Sequence, residues 1–361
     1  MNPERKRSAY MEWAKLSSAA RFNLATSGLT SVPITEFPLQ IEQLEVTAPG
    51  EYGYPPLLER IAKHTRTAVE CVVTAEGTSM ANHLAFACLL EPGDEVVLET
   101  PTYGLLLDLA RYFGASVRRV ERRLENDFAI PLDELKAAIT PATRLVILTN
   151  LHNPSGALIP SETLRAIGQL AQSVGAHVLV DEVYLEMLFA EPASTCFSLG
   201  ENFIVTSSLT KAYGLSGLRC GWILTAPELA QRMRQLYDLF GANAAHPAER
   251  MSVMAFDHLT HFRDRARRLL ETNRRLLDRF LDHCPELECF RPPAGTVAFP
   301  RLLHGDPDSF FQLLRRKYET SVAPGEFFEL RDHFRIGIGG STDELREGLE
   351  RLGAALAEFL A

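Results

Sequence analysis

SSLTKAYGLSGLRCGW, residues 207–222, sets one lysine, Lys211, among hydroxyls, three glycines and an arginine. It overlaps the end of the β-branched run FIVTSS (203–208) and leads into a glycine-rich turn, so the amine of Lys211 is expected in a crevice at a sheet edge and not in bulk water. Outward from this stretch, from about Glu70 to Leu224, short apolar runs alternate with helix-period segments. The runs are CVVTAEG (71–77), EVVLETP (95–101), SVRRV (116–120), RLVILTN (144–150), AHVLVDE (176–182), FIVTSS and GWILT (221–225). Such alternation predicts an α/β fold with a mostly parallel sheet sandwiched by helices. Between the runs, LLLDLARYFGA and SETLRAIGQLAQSVGA have apolar residues at three- and four-residue spacing; the second is expected to be capped by Ser161 and to end near Gly175.

After Glu228 the pattern changes to long amphipathic helices, including 264–283, with strands around 296–300 and at FRIGIG (334–339) and a last helix from Thr342. This divides the chain into a large domain, 40–245, and a smaller α+β domain made of 1–39 and 246–361.

Bulk properties exclude several classes. A chain of 361 residues with 46% hydrophobic and 23% charged residues buries a sizeable core. The net charge of −9 argues against a nucleic-acid partner, and the arginine-rich run 263–280 reads as a solvated helix face. Six cysteines without CxxC spacing suit buried thiols in a reducing compartment and predict no metal site. The basic start lacks an apolar signal core and no stretch is apolar enough to span a bilayer, so the expectation is a cytoplasmic protein with no membrane partner.

In open α/β sheets, ligands gather beyond the carboxyl ends of the strands. TAEGTSMANHLAF (74–86) reads as strand, glycine turn and helix start, and it offers the N–H groups of Gly77, Thr78 and Ser79 to an anion, although a simply capped helix has the same pattern. TNLHNPSGALI (149–159) carries Asn153 in a tight turn, which is also a structural motif in its own right. In VLVDEVYLEM (178–187) Asp181 closes a buried strand, where an unpaired carboxylate is expensive, so it needs a cationic or hydrogen-bonding partner; a structural ion pair satisfies the same demand. Lys211, unless it is an ordinary surface lysine, can lose its proton and attack an aldehyde to form a Schiff base. Ser208 and Arg219 suit a phosphate. An aldehyde-binding lysine, a phosphate cradle and a carboxylate for a ring nitrogen together describe pyridoxal 5'-phosphate.

From about Asn23 to Gly340 the sequence resembles the fold-type I, class I/II pyridoxal-phosphate aminotransferases. Residues 208–221 match S-x-[ST]-K-x-[FY]-G-x-x-G-x-R-x-G, and NxxNP[ST]G at 150–156, DExY at 181–184, PTYG at 101–104 and FRIG at 334–337 follow in the expected order. The resemblance implies that Lys211 is the Schiff-base lysine and proton shuttle, and that Asp181 pairs with the pyridinium nitrogen. It further implies that Asn153 and Tyr184 bond the phenolic oxygen and that Tyr103 stacks on the ring. Gly77, Thr78, Ser79, Ser208 and Arg219 would hold the phosphate, while Arg335, with Asn153 and the segment around Gly28, would receive the substrate carboxylate. It implies a homodimer in which a tyrosine of the neighbouring subunit, Tyr52 or Tyr54, reaches the phosphate. Glu76, ahead of the phosphate turn, has no explanation in this pattern.

The implied activity is transfer of an amino group between an alpha-amino acid and a 2-oxo acid. Two enzymatic alternatives use the same lysine: a beta-eliminating lyase, and an aminotransferase for an amino phosphate of the histidinol phosphate kind. A ligand-sensing domain without enzyme activity would need an attached DNA-binding module.

Overall fold

The structure, a computed structural model, describes residues 6–37, 39, 41–47, 50–189 and 195–361. It opens with helix α1 (Ala9–Leu16), strand β1 (Phe22–Asn23) and helix α2 (Pro55–Thr65). Strands and helices then alternate through β2 (Val72–Glu76), α3 (Gly77–Leu89), β3 (Glu95–Thr100), α4 (Gly104–Tyr112), β4 (Ser116–Glu121), α5 (Leu132–Ala138), β5 (Thr143–Thr149), α6 (Ser161–Gln172) and β6 (His177–Asp181). Next come β7 (Phe203–Ser208), α7 (Leu209–Ala212), β8 (Cys220–Leu224), α8 (Pro227–Tyr237), α9 (His246–Asp257) and α10 (Leu259–Asp282). The remainder holds short strands β9 (Leu287–Glu288), β10 (Val297–Ala298) and β11 (Arg301–Leu302), helix α11 (Pro307–Tyr318), strands β12 (Thr320–Ser321), β13 (Ala323–Pro324) and β14 (Phe334–Gly337), and helix α12 (Thr342–Phe359).

Seven strands form one sheet in the order β2-β8-β7-β6-β5-β3-β4. The pairs β7·β6, β6·β5, β5·β3 and β3·β4 are parallel, whereas β8 runs antiparallel to both β7 and β2. The reversal at β8 has a simple cause: the connection 209–219 is shorter than the dozen or so residues that a parallel crossover needs. Strand side chains alternate between faces, and both faces are apolar, which is why these strands read as nearly continuous hydrophobic runs. On β5, Leu145 and Ile147 join the layer that includes Leu84 of α3, Leu106 of α4 and Met233 of α8. Val146 and Leu148 join the opposite layer with Ile167 of α6 and Ile61 of α2. Each such wholly buried aliphatic side chain contributes roughly 1.5–3 kcal/mol, so the two layers hold the sheet edge rigid.

One sequence expectation needs correction. Ser161 is the first residue of α6 and not its cap; Pro160, at φ −61 and ψ 150, stands in the cap position and its carbonyl accepts the Leu164 N–H. The helix ends at Gln172, before Gly175 turns the chain at φ +75. Gln40, the expected first domain boundary, lies outside the described residues.

The carboxyl-terminal segments build smaller sheets, β10-β14-β13 and β11-β9. Strand β1 crosses the whole sequence to pair in parallel with β12, Phe22 against Thr320 and Asn23 against Ser321. That pairing brings α1 and the segment 24–29 back over the edge where β3, β5, β6 and β7 end.

Candidate active site

At that edge lies a cavity of ≈ 340 Å³, within the range of ligand sites. Lys211, on α7, points into it and its Nζ donates to Ser27 Oγ at 3.0 Å. Burial drives its pKa down, with Arg335 and Arg219 adding to the effect and Asp181 opposing it. An amine in this setting gives up its proton more readily than one on the surface.

Asp181 ends β6 almost wholly buried. Its Oδ2 accepts from Asn82 Nδ2 at 2.9 Å and its Oδ1 from the Val183 N–H at 3.1 Å. Burial pushes its pKa up to about 6 against the pull of these bonds and of Lys211. Asn82 is itself fixed by Thr206, whose hydroxyl donates to Oδ1 at 2.6 Å. Asn82 was not singled out from the sequence; the signal was a wholly buried amide on the apolar face of α3, five residues after Gly77.

The opposite end of the cavity is built for an anion. Gly77, at φ +74, turns β2 directly into α3, and Glu76 in the cap position offers no side-chain bond to the first N–H groups. Those N–H groups therefore face outward with the positive end of a thirteen-residue helix behind them. A side chain at Gly77 would put its Cβ 2.6 Å from Arg219 Nη2, and one at Gly221 would meet the Gly77 backbone at 2.5 Å, so the approach of Arg219 depends on both glycines. Arg219 Nη2 donates to the Glu76 carbonyl at 2.9 Å. Thr78 Oγ1 donates to Ser208 Oγ at 2.9 Å, and Thr210 borders the cavity with its N–H donating to the same Ser208 Oγ at 3.3 Å. Ser79 borders the cavity from the exposed side. Glu76 also gains an account here: besides its carbonyl's role, its carboxylate receives the Tyr237 hydroxyl.

Asn153, Tyr184 and Tyr103 line the middle of the cavity. Asn153 Oδ1 accepts from Arg335 Nη1 at 2.9 Å, which leaves the Asn153 amide donors for a ligand. Tyr184 is buried, and its pKa rises mainly through that burial. Gly28 stands against Lys211: a Cβ there would lie 3.8 Å from its Cδ and 3.9 Å from its Nζ.

Two sequence-nominated residues are placed less directly. Arg335, on β14, is wholly buried and does not border the cavity. Tyr10, from α1, covers it: the Tyr10 hydroxyl accepts from Arg335 Nη2 at 2.8 Å, and the same Nη2 also donates to the Ala25 carbonyl at 3.1 Å. Tyr52 is exposed and donates to Asp238 at 3.0 Å, beside a separate, smaller cavity that Tyr54 also lines. Tyr10 and its neighbour Trp13 on α1 had no signal in the sequence, since nothing local says which remote helix will close over a sheet edge.

The aminotransferase class I and II family profile matches residues 44–352. The chain belongs to that family. Among related aminotransferase-family proteins, capreomycidine synthase of Streptomyces vinaceus is 33% identical over 80% of this chain and 74% of its own length. Arginine–pyruvate transaminase AruH of Pseudomonas aeruginosa is 30% identical over 85% of this chain and 82% of its own length. A PLP-dependent aminotransferase from Streptococcus suis superposes with a TM-score of 0.92 and 26% identity, covering 98% of both chains. The superposition agrees with the α/β fold and its mostly parallel central sheet.

Proposed function

We propose that this protein is a pyridoxal 5'-phosphate-dependent aminotransferase that moves an amino group between an alpha-amino acid and a 2-oxo acid. The observation that carries the reading is the placement of Lys211 in one cavity with Asp181, the uncapped start of α3 and Arg219. A buried carboxylate at one end and anion-binding donors at the other fit a ligand that carries a ring nitrogen and a phosphate. When bound, the cofactor supplies an aldehyde for the amino group and a ring that draws electrons from the alpha carbon.

The chain's residues divide the remaining work. Asp181, anionic beside a cationic ring nitrogen, keeps that nitrogen charged, and Asn82 aims the carboxylate. Gly77, Thr78, Ser79, Ser208 and Arg219 hold the phosphate through N–H, hydroxyl and guanidinium donors. Tyr103 covers the ring, and Asn153 and Tyr184 bond its phenolic oxygen. Lys211, with its lowered pKa, takes the alpha proton at Nζ and returns it nearby. Arg335 receives the substrate carboxylate, with Asn153 and the Gly28 segment beside it.

A second reading, beta-elimination, uses the same lysine. The test is to add an amino acid alone to the purified holoenzyme. Stoichiometric conversion of the cofactor to its amine form supports transamination, and catalytic release of pyruvate and ammonia supports elimination. Borohydride reduction followed by peptide mapping should leave the cofactor's mass on Lys211, and on no other residue.

The exposed Tyr52, with exposed Leu239 and Phe240, supports a homodimer in which Tyr52 reaches the neighbouring phosphate site. We assign 40–245 to the large domain and 1–39 with 246–361 to the small one. The unpaired cysteines support a cytoplasmic location.

A further inference from the structure

Helix α1 contributes to the lining of the cavity. Tyr10, Met11, Trp13 and Ala14 of α1 line the cavity, and Tyr103 meets them from the sheet edge, its hydroxyl 3.5 Å from Met11 Sδ. The rings form a continuous set. Tyr10 and Trp13 have centroids 6.5 Å apart, and Tyr10 and Tyr103 stand edge to face at 5.6 Å. Phe327, 5.1 Å from Trp13, backs the indole.

The charges are placed elsewhere. Among the described residues that line the cavity, the lysine and arginine are Lys211 and Arg219, the first bonded to Ser27 and the second to the Glu76 carbonyl at the anion end. Arg335 lies behind Tyr10. The acid is Asp181, held by Asn82 and the Val183 N–H. A substrate side chain directed toward α1 therefore meets aromatic faces and no counter-ion. A second carboxylate would be desolvated there without a partner, which is strongly unfavourable. A flat group would gain from stacking, whether it is an aromatic ring or a planar guanidinium.

We propose that α1 is the specificity wall of this site, and that it selects amino acids with a flat side-chain group, held by stacking on Trp13 and Tyr10, over dicarboxylic amino acids. This rests on the aminotransferase reading for the identity of the reactive end, and it adds the class of side chain.

The experiment titrates the holoenzyme with phenylalanine, arginine, aspartate and alanine. It follows both the cofactor absorbance and the emission of Trp13, taken as the difference between wild type and Trp13→Ala. Phenylalanine or arginine should half-saturate at a concentration at least about tenfold below that of aspartate, and should perturb the indole emission where alanine does not. The phenylalanine and arginine arms tell a ring-selecting wall from a guanidinium-selecting one. Trp13→Ala should erase the advantage over aspartate while alanine is unaffected, and Trp13→Phe should restore most of it. Aspartate binding as tightly as the flat substrates would overturn the proposal. So would equal weakening of alanine and the flat substrates in Trp13→Ala. If no cofactor spectrum develops, the aminotransferase reading fails, while the Trp13 emission still decides the wall.

Discussion

The Tyr10 hydroxyl sits 2.8 Å from Arg335 Nη2, and the Ala25 carbonyl occupies the other proton of that nitrogen. Both ways in which a guanidinium forks a carboxylate use Nη2, so a substrate carboxylate that docks with two parallel bonds must displace one of these partners. The hydroxyl, carried on a short amino-terminal helix, is the one that can leave. The Ala25 carbonyl belongs to a segment tied to β14, where the Gly337 N–H bonds the Leu24 carbonyl at 2.6 Å.

Tyr10→Phe removes the competitor and keeps the ring. KM for the amino donor should fall several-fold with little change in kcat. The unliganded protein should lose about 1–3 kcal/mol in urea unfolding, because a buried donor loses its partner. A rise in KM would mean that the hydroxyl itself helps to hold the carboxylate.

Asp181 gives a pH dependence with a definite sign. In the cofactor-free protein its carboxyl keeps a proton up to about pH 6, whereas in the unfolded chain it releases it near the ordinary aspartate value of 3.8. Between those values the folded state binds more protons, so this group's contribution is fully present below the lower value and is lost as pH rises through the upper one. The stability of wild type minus that of Asp181→Asn should drop between pH 4 and pH 7, by about 3 kcal/mol at most. Urea titrations of both proteins without cofactor at the two pH values measure it; a constant difference would contradict the burial argument.

Gly77→Ala tests the anion end. The added methyl would stand 2.6 Å from Arg219 Nη2 on a backbone at φ +74, so either the guanidinium or the helix start must move. Equilibrium binding of pyridoxal 5'-phosphate should weaken more than tenfold. Binding of pyridoxal, which lacks the phosphate, should change far less.

Lys211→Ala should abolish turnover and the cofactor's protein-linked absorbance together. Retention of either one in the purified variant would remove the lysine from its assigned role.

The sheet was legible because each strand announces itself locally. β3, β5, β6 and β7 are apolar runs whose last residues turn polar; Asp181 is the last residue of β6, and Lys211 sits just beyond the end of β7. The antiparallel β8 was not legible, since a glycine-rich return after Lys211 resembles any other loop until its length is set against that of a crossover. Asn82 was half-visible, as an amide on an otherwise apolar helix face. Tyr10 and Trp13 were invisible: their position follows from the pairing of Phe22 with Thr320, a contact between residues too distant in sequence for any local pattern to announce. The cap at Ser161 failed for a smaller reason, because the proline before it already supplies an extended residue whose carbonyl opens the helix.

The β1·β12 ladder also sets an order of assembly. A ribosome releases Phe22 and Asn23 long before their partners Thr320 and Ser321, with the whole seven-stranded sheet made in between. The helix that shapes substrate choice therefore has no docking place until β12 has been made. Nascent chains truncated before Thr320 should already hold the parallel sheet yet leave the entrance to Lys211 unwalled.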